Sequence, residues 1–353
     1  LRQFRAIFVF LLLFISTTTL AQVNNLRIEN IGVEDGLAQA SVNYLFQDSD
    51  GFIWVSMDSG IQTFDGYGFK QIPGPDGDFS SFSAFKIHES QDGLIWLDVY
   101  GKGLYTFDKS AQSYELMLKT GEETSIAHFV HGKDGKVWIA TLNEIGYLNQ
   151  GNKSLVKIID LSEQLGPKNT IFHIHEKQDV LYIGTRDGIF AYHSVDEILV
   201  KLPLINKETI LVDNYNRVEA AKTYSLKSIE DVLYVGTNDG VFTLDISNIE
   251  KYITNQESLG KYELIIPHAS VWQFFHHENQ LLVGANEGLF TYDLTNTQSK
   301  FLFRFDMHNL AIANNHVRTL LVDDNGMYWM GSPSDGMFSW DPKTKDIQNF
   351  GYQ

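Results

Sequence analysis

Apolar and polar residues alternate along this chain in short runs, and one phrase built on that alternation returns seven times. Four copies end on tryptophan: Gly51-Phe-Ile-Trp54, Gly93-Leu-Ile-Trp96, Gly135-Lys-Val-Trp138 and Gly326-Met-Tyr-Trp329. Three more place Tyr182, Tyr234 and Leu282 at the same point, and successive anchors are 42, 42, 44, 52, 48 and 47 residues apart. Alternation of period two marks strands with one face inward. An upstream strand precedes each anchor: Val42-Asn-Tyr-Leu45 in the first unit, Ile126-Ala-His-Phe129 in the third and Val317-Arg-Thr-Leu320 in the seventh. In units four to six it starts at Ile171, Thr223 and Val271, one residue nearer the anchor, because a shorter hairpin replaces Asp-x-x-Gly. After the anchor come phrases such as Tyr182-Ile-Gly-Thr-Arg-Asp-Gly188, then a third strand such as Leu104-Tyr-Thr-Phe-Asp108. Asp-Gly pairs suit tight hairpins, and the small residues Gly184, Gly236 and Gly284 suit close approach of a neighbouring sheet. Four short strands per unit at a period of ~40–50 residues predict an all-β protein, a seven-bladed β-propeller of four-stranded antiparallel blades.

Two end strands compete for the last place in the seventh blade: Leu26-Arg-Ile-Glu-Asn-Ile31 and Ile347-Gln-Asn-Phe-Gly-Tyr352. The first is favoured, because pairing the start of the chain with its last blade clasps the circle. Residues 1–21 read as a secretory signal peptide, with Arg2 and Arg5 before an apolar run from Ala6 to Ile15 and small residues ahead of Gln22. That run is too short to span a bilayer, which takes ~20 apolar residues. The propeller then occupies residues 22–353, and a periplasmic location follows from export.

The chain has no cysteine, so its stability rests on packing alone. Its net charge of −17 repels nucleic acid and anionic lipid. A polyanionic glycan is an awkward ligand for such a surface unless a local basic patch intervenes, and neutral ligands fit more easily.

At Asp35-Gly-Leu-Ala-Gln-Ala-Ser-Val42, Gln47-Asp-Ser-Asp-Gly-Phe-Ile-Trp54 and Phe64-Asp-Gly-Tyr-Gly-Phe69 the chain resembles the two-component regulator propeller repeat. That repeat builds the periplasmic sensor region of hybrid two-component histidine kinases. The resemblance implies an extracytoplasmic sensor of an oligosaccharide that signals through a homodimer. It also implies a β-sandwich, a membrane helix and a kinase downstream. The present sequence carries none of these after its seventh unit, so membrane attachment is expected only through such a segment. The alternatives are a free-standing secreted propeller enzyme, of polysaccharide lyase or glycosidase type, and a protein-interaction scaffold.

No catalytic motif stands out, and neither a cofactor nor a metal is expected. Asp48-Ser-Asp50-Gly51 hints at a calcium loop but reads better as a hairpin turn. His173-Ile-His175 places two imidazoles on one strand face, with His128 and His131 in the neighbouring unit and His276-His277 in the sixth. This set is the strongest enzymatic candidate, although its spacing differs between units. Ligand binding is expected on the face shared by the second-to-third turns and the inter-blade crossings, with long crossings at 72–83, 199–222, 249–270 and 300–316. Near the channel mouth that face should present Asn43, His128, Trp272, His316 and Arg318, plus Tyr100 and Arg186 from turns. Trp272 and Tyr100 would stack on a sugar ring, while Arg318 and Arg186 would bond its hydroxyls.

Overall fold

The structure, a computed structural model, describes residues 28–75, 77, 84–121, 125–165, 170–203, 222–255, 257–303 and 315–343. The signal segment and the strand expected at 347–352 lie outside these residues. Seven four-stranded antiparallel sheets follow one another along the chain. In the first, Val42–Gln47, Ile53–Met57, Gly60–Phe64 and Phe69–Ile72 lie side by side in sequence order, and the next five sheets repeat that order. The seventh is composite. Thr319–Val322, Tyr328–Gly331 and Met337–Trp340 supply its inner strands, and the N-terminal strand Ile28–Ile31 completes it, with Ile28 opposite Trp340 and Ile31 opposite Met337. Two backbone bonds tighten the same seam, Val42 N–H to Ser332 O and Gly336 N–H to Ala40 O, both 2.8 Å.

The core is a ring of seven wedges, one between each pair of adjacent blades. One wedge joins blade seven to blade one through Leu45, Val55, Met57, Leu321, Trp329 and Met337, with Leu37 from the entry loop sealed inside it. Another joins blades four and five through Tyr182, Ala191, Leu226 and Val235. Every anchor of the repeat is buried: Trp54, Trp96, Trp138, Tyr182, Tyr234, Leu282 and Trp329.

The repeated phrase has a physical basis in the turn before each tryptophan. Asp48 accepts the Trp54 indole N–H at 2.8 Å through one oxygen, and through the other it accepts the backbone N–H groups of Asp50 and Phe52. Asp323 repeats this in blade seven, bonding Trp329 at 2.9 Å and capping Asn325 and Met327. One carboxylate thus closes the hairpin and satisfies the buried indole. Blade two substitutes Ser90 for the acid, and blade three borrows Glu176 from the next blade. The Asp48 loop is a hairpin, with Lys109 bridging Asp50 and Glu89 at 2.6 and 2.9 Å.

Close blade approach is set by small residues two positions after the anchor. A Cβ on Gly184 would lie 2.9 Å from Thr223, one on Gly236 would lie 2.6 Å from Val271, and one on Gly284 would lie 2.8 Å from the Val317 carbonyl. In each case the obstacle is the entry to the next blade's innermost strand.

Three of the long crossings are shorter than expected. Residues 249–270 divide into a helix, Ile249–Asn255, and the fourth strand of blade five, Tyr262–Pro267, so only 268–270 cross between blades. The helix buries Ile249 and Ile253 against the blade four–five wedge. Likewise Ile198–Leu202 is the fourth strand of blade four, and Gln298–Phe303 is that of blade six.

Replacing Asp48 or Asp323 by Ala leaves an indole donor and two turn N–H groups without their acceptor. The expected cost is about 1–3 kcal/mol each, against about 1 kcal/mol for Ser90→Ala, read from urea unfolding midpoints. Gly236→Ala should cost ~1–3 kcal/mol by overpacking, whereas the same change at the half-buried loop residue Gly68, which has no atom within 4 Å of a new Cβ, should cost far less.

Candidate functional site

Four innermost strands begin in the same way, and that beginning builds much of the mouth of the central channel. In blades one, four, five and six the register against the second strand slips by one residue at the second position, between Val42 and Tyr44, Ile171 and His173, Thr223 and Ser225, and Val271 and Gln273. A bulge re-aims the side chain of the extra residue. The bulged residues are Asn43, Phe172, Tyr224 and Trp272, and Arg318 holds the equivalent place in blade seven.

These side chains join into an arc. Phe172 packs on Tyr224 with ring centroids 4.9 Å apart. Tyr224 stacks on Trp272 at 5.2 Å and an interplanar angle of 16°. The Arg318 guanidinium lies 6.0 Å from the Trp272 ring, and His316 meets the same ring edge-on at 5.5 Å. Arg318 Nη1 donates to Asn43 Oδ1 at 2.9 Å, and Asn43 Nδ2 donates to Asp58 Oδ1 at 2.7 Å. The arc therefore runs from apolar rings on blades four to six into a donor–acceptor chain on blades seven and one. Burial lowers the Arg318 pKa, and Asp58 opposes that effect. Burial and Arg318 together hold His316 below its usual range.

One residue further along each strand lies a second set of equivalent positions: Tyr44, Lys86, His128, His173, Ser225, Gln273 and Thr319. Its first task is structural. An innermost strand is a sheet edge with unpaired N–H groups. Thr319 Oγ1 accepts from Leu45 N–H, Gln273 Oε1 from Leu320 N–H, and His128 Nδ1 from Ile174 N–H, each bond reaching from one blade to the next. On blades two to four this tier is basic. Lys86 Nζ lies 2.9 Å from His128 Nε2, and the His128 and His173 rings are 3.9 Å apart. Since His128 Nδ1 accepts a backbone N–H, its proton sits on Nε2 and points at Lys86. In that tautomer the contact is made with the uncharged amine of Lys86, which accepts through its lone pair. Burial pushes the Lys86 pKa down to about 7, against the opposing pull of Asp98, and drives His128 and His173 well below the usual imidazole range.

Of the residues anticipated from sequence, Asn43, Trp272, His316 and Arg318 come together in the arc. Arg186, in the blade-four turn, is near enough for its charge to act on the Tyr224 hydroxyl. His128 belongs to the basic tier across blades two to four. Tyr100 stands in the blade-two turn, 58% exposed. His173 and His175 diverge in their contacts: His173 faces His128 of blade three, and His175 bonds Ser228 of blade five. Among the described residues no cluster of His, Asp and Glu is arranged to hold a metal ion. Phe172, Tyr224 and Lys86 were missed, although the signal was available: the first two stand directly after the strand-opening residue, in the same column as Trp272 and Arg318.

A cavity of about 1260 Å³ also opens between blades six and seven, lined by His276, His277, Asp293, Lys300, Tyr328 and Trp340. It lies at the hairpin end of those blades, opposite the mouth, and is a groove between blade edges. The arc is the better candidate, because stacked rings and oriented hydrogen-bond groups converge there from five blades.

Comparison with solved structures agrees with this architecture. The chain is similar to the extracellular domain of the hybrid two component system BT4673 from B. thetaiotaomicron, with TM-score 0.68 and 20% identity over 89% of this chain and 39% of that one. It is similar to the corresponding domain of BT3049 from the same organism, with TM-score 0.69 and 16% identity over 89% of this chain and 41% of that one. The chain thus spans about two fifths of the length of those domains. Virginiamycin B lyase from Staphylococcus aureus shares the fold at TM-score 0.61 and 13% identity, covering 89% of this chain and 98% of that one. At these identities the likeness is one of fold. No curated protein matches the chain in sequence. Among the described residues no helix is long and apolar enough to cross a membrane. Residues 36–59, which span the first two strands of blade one, match the two component regulator propeller model.

Proposed function

We propose that this propeller is the extracytoplasmic ligand-sensing region of a hybrid two-component system, that it binds an oligosaccharide at the channel mouth, and that it signals through a dimer without catalysis of its own. The observation that carries this reading is the arc itself. Pyranose rings offer apolar faces edged by hydroxyls. A surface that recognises them combines aromatic planes with fixed donors and acceptors at their border. Phe172, Tyr224 and Trp272 supply the planes, and Arg318, Asn43 and Asp58 supply the border. The bulged backbone holds Asn43, Phe172, Tyr224 and Trp272 on strands rather than on loops, so little conformational entropy is lost when a ligand docks.

The blade-one repeat supports the sensory role, and the fold shared with extracellular domains of hybrid two component systems is consistent with it. A sensor of this kind works by differential affinity. A ligand that binds one arrangement of a dimer more tightly shifts the population toward it. The enzymatic reading draws on Lys86 beside His128, whose lowered pKa lets it take up a proton, and on the fold shared with a lyase. Bond cleavage would separate the two readings at once.

Titration calorimetry of the full chain against a panel of oligosaccharides should show saturable heat with intact sugar recovered afterwards. Trp272→Ala should weaken that binding by at least about tenfold, or ~1.4 kcal/mol, while Trp272→Phe restores most of it. Equal affinity in wild type and Trp272→Ala would remove the arc from the reading, and shortened sugar in the recovered sample would replace the sensor with an enzyme.

A further inference from the structure

The channel below the mouth is chemically lopsided. Its upper tier is Tyr44, Lys86, His128, His173, Ser225, Gln273 and Thr319. The tier two residues further down, opposite the blade anchors, is Phe46, His88, Val130, His175, Lys227, Phe275 and Leu321. Blades two to five place Lys86, His88, His128, His173, His175 and Lys227 in these tiers, while blades six, seven and one contribute no titratable base. Neither tier contains an acid, in a chain where Asp and Glu outnumber Lys and Arg by 44 to 27. The nearest carboxylate is Asp98, on the second strand of blade two, which accepts the Lys86 backbone N–H.

These bases are reachable. Lys86, His128, His173 and His175 keep part of their accessible surface, yet they are enclosed enough that loss of water dominates their titration. Both properties together fit side chains on the wall of the central channel. His173 Nδ1 is buried with no hydrogen-bond partner among the described residues. The basic wall meets the aromatic arc at blade four, where Phe172 of the arc directly precedes His173.

We propose that this basic wall is a site for a singly charged acid group, a carboxylate or a sulfate ester, on one sugar unit of the ligand, with Lys86, His128 and His173 as its contacts. The inference rests on the arc as the oligosaccharide platform and names the class of sugar that platform serves: an acidic one. An acidic unit seated past the arc's blade-four end supplies the negative charge that the wall lacks. The acidic exterior of the protein then selects against long polyanions, and the channel selects for a short ligand with one acid group.

Charge balance fixes how binding responds to pH. Above pH 7 Lys86 is mostly neutral in the empty channel, and an entering anion favours its ammonium form, so binding takes up a proton. The charges that act on this wall are Asp98, Lys227 and Lys177, with Glu89 and Asp92 reaching only the lower histidines His88 and His131. None of these acids is in the upper tier to substitute for the ligand. Above the Lys86 pKa of about 7 the proton has to be taken from solution, so affinity should fall as pH rises from 7 to 9.

The test is calorimetry on the full chain with a trisaccharide carrying a single galacturonate unit, its carboxyl-reduced neutral analogue and the same neutral trisaccharide bearing a single sulfate ester, each in two buffers of different ionisation enthalpy at pH 8. The expected result is at least tenfold tighter binding of an acidic sugar than of the neutral analogue, with proton uptake on binding. Whichever acid binds tighter identifies the group. K86M should abolish both the preference and the proton uptake while the neutral analogue still binds. H173Q is the second variant should K86M fold poorly, and it should reduce the preference. Equal affinity for the neutral and acidic sugars, or a preference unchanged in both K86M and H173Q, overturns the acid-group site and leaves the oligosaccharide reading standing. Acid-selective binding that Trp272→Ala does not affect keeps the acid site and overturns the arc. Absence of binding by all three sugars overturns both.

Discussion

The pairing of Ile28–Ile31 with Met337–Trp340 is the contact on which the rest of the molecule depends. Six blades are continuous stretches of chain, and each buries one face on the blade before it and one on the blade after. Without that pairing the ring would stay open between blades seven and one, and the facing residues Leu45, Val55, Leu321 and Trp329 would meet water. Closure turns two exposed apolar faces into a seventh wedge and removes the terminal sheet edges from aggregation. It also places Arg318 beside Asn43, residues separated by 275 positions in sequence. The polar border of the arc exists only in the closed ring.

Much of this was legible in the sequence because the repeat is a packing device. Trp54 and Trp329 have to be buried, their indoles need an acceptor, and an aspartate six residues earlier supplies one while capping a turn. Those constraints act within a dozen residues, so the local pattern records them. The choice of Ile28–Ile31 as the closing strand was legible for a related reason: only a strand from the far end of the chain clasps the ring. The helix Ile249–Asn255 was harder to see. It packs Ile249 and Ile253 on a wedge formed by other parts of the chain, and such a tertiary reward leaves no periodic trace in seven residues.

The candidate site was legible by column but not by composition. Asn43, Trp272 and Arg318 drew notice as distinctive residue types, whereas Phe172 and Tyr224 at the same position looked like ordinary core aromatics. Only the register slips reveal that this column leaves the packing face and points to the mouth. Lys86 was hidden for a different reason. It stands two residues after Ala84, as His173 stands two after Ile171, but the wider irregularity between Ala84 and Ile87 and the lack of a histidine in that place kept its column from standing out.

The division of labour along each innermost strand follows from its being an edge. Positions that face a neighbouring blade are committed to the wedges. The first tier positions are committed in part to the next blade's backbone, as Thr319, Gln273 and His128 show. Thr319 and Gln273 meet that demand with neutral acceptors, and Lys86 and His173 do not serve it in any bond seen here. A lysine and a histidine therefore stand where a small hydroxyl or an amide would satisfy the fold at lower desolvation cost, since burying bases without counter-charge is unfavourable. Retaining them costs stability, and their concentration on adjoining blades, on one side of the channel and beneath one end of the arc, is what a binding function rather than a packing function would require.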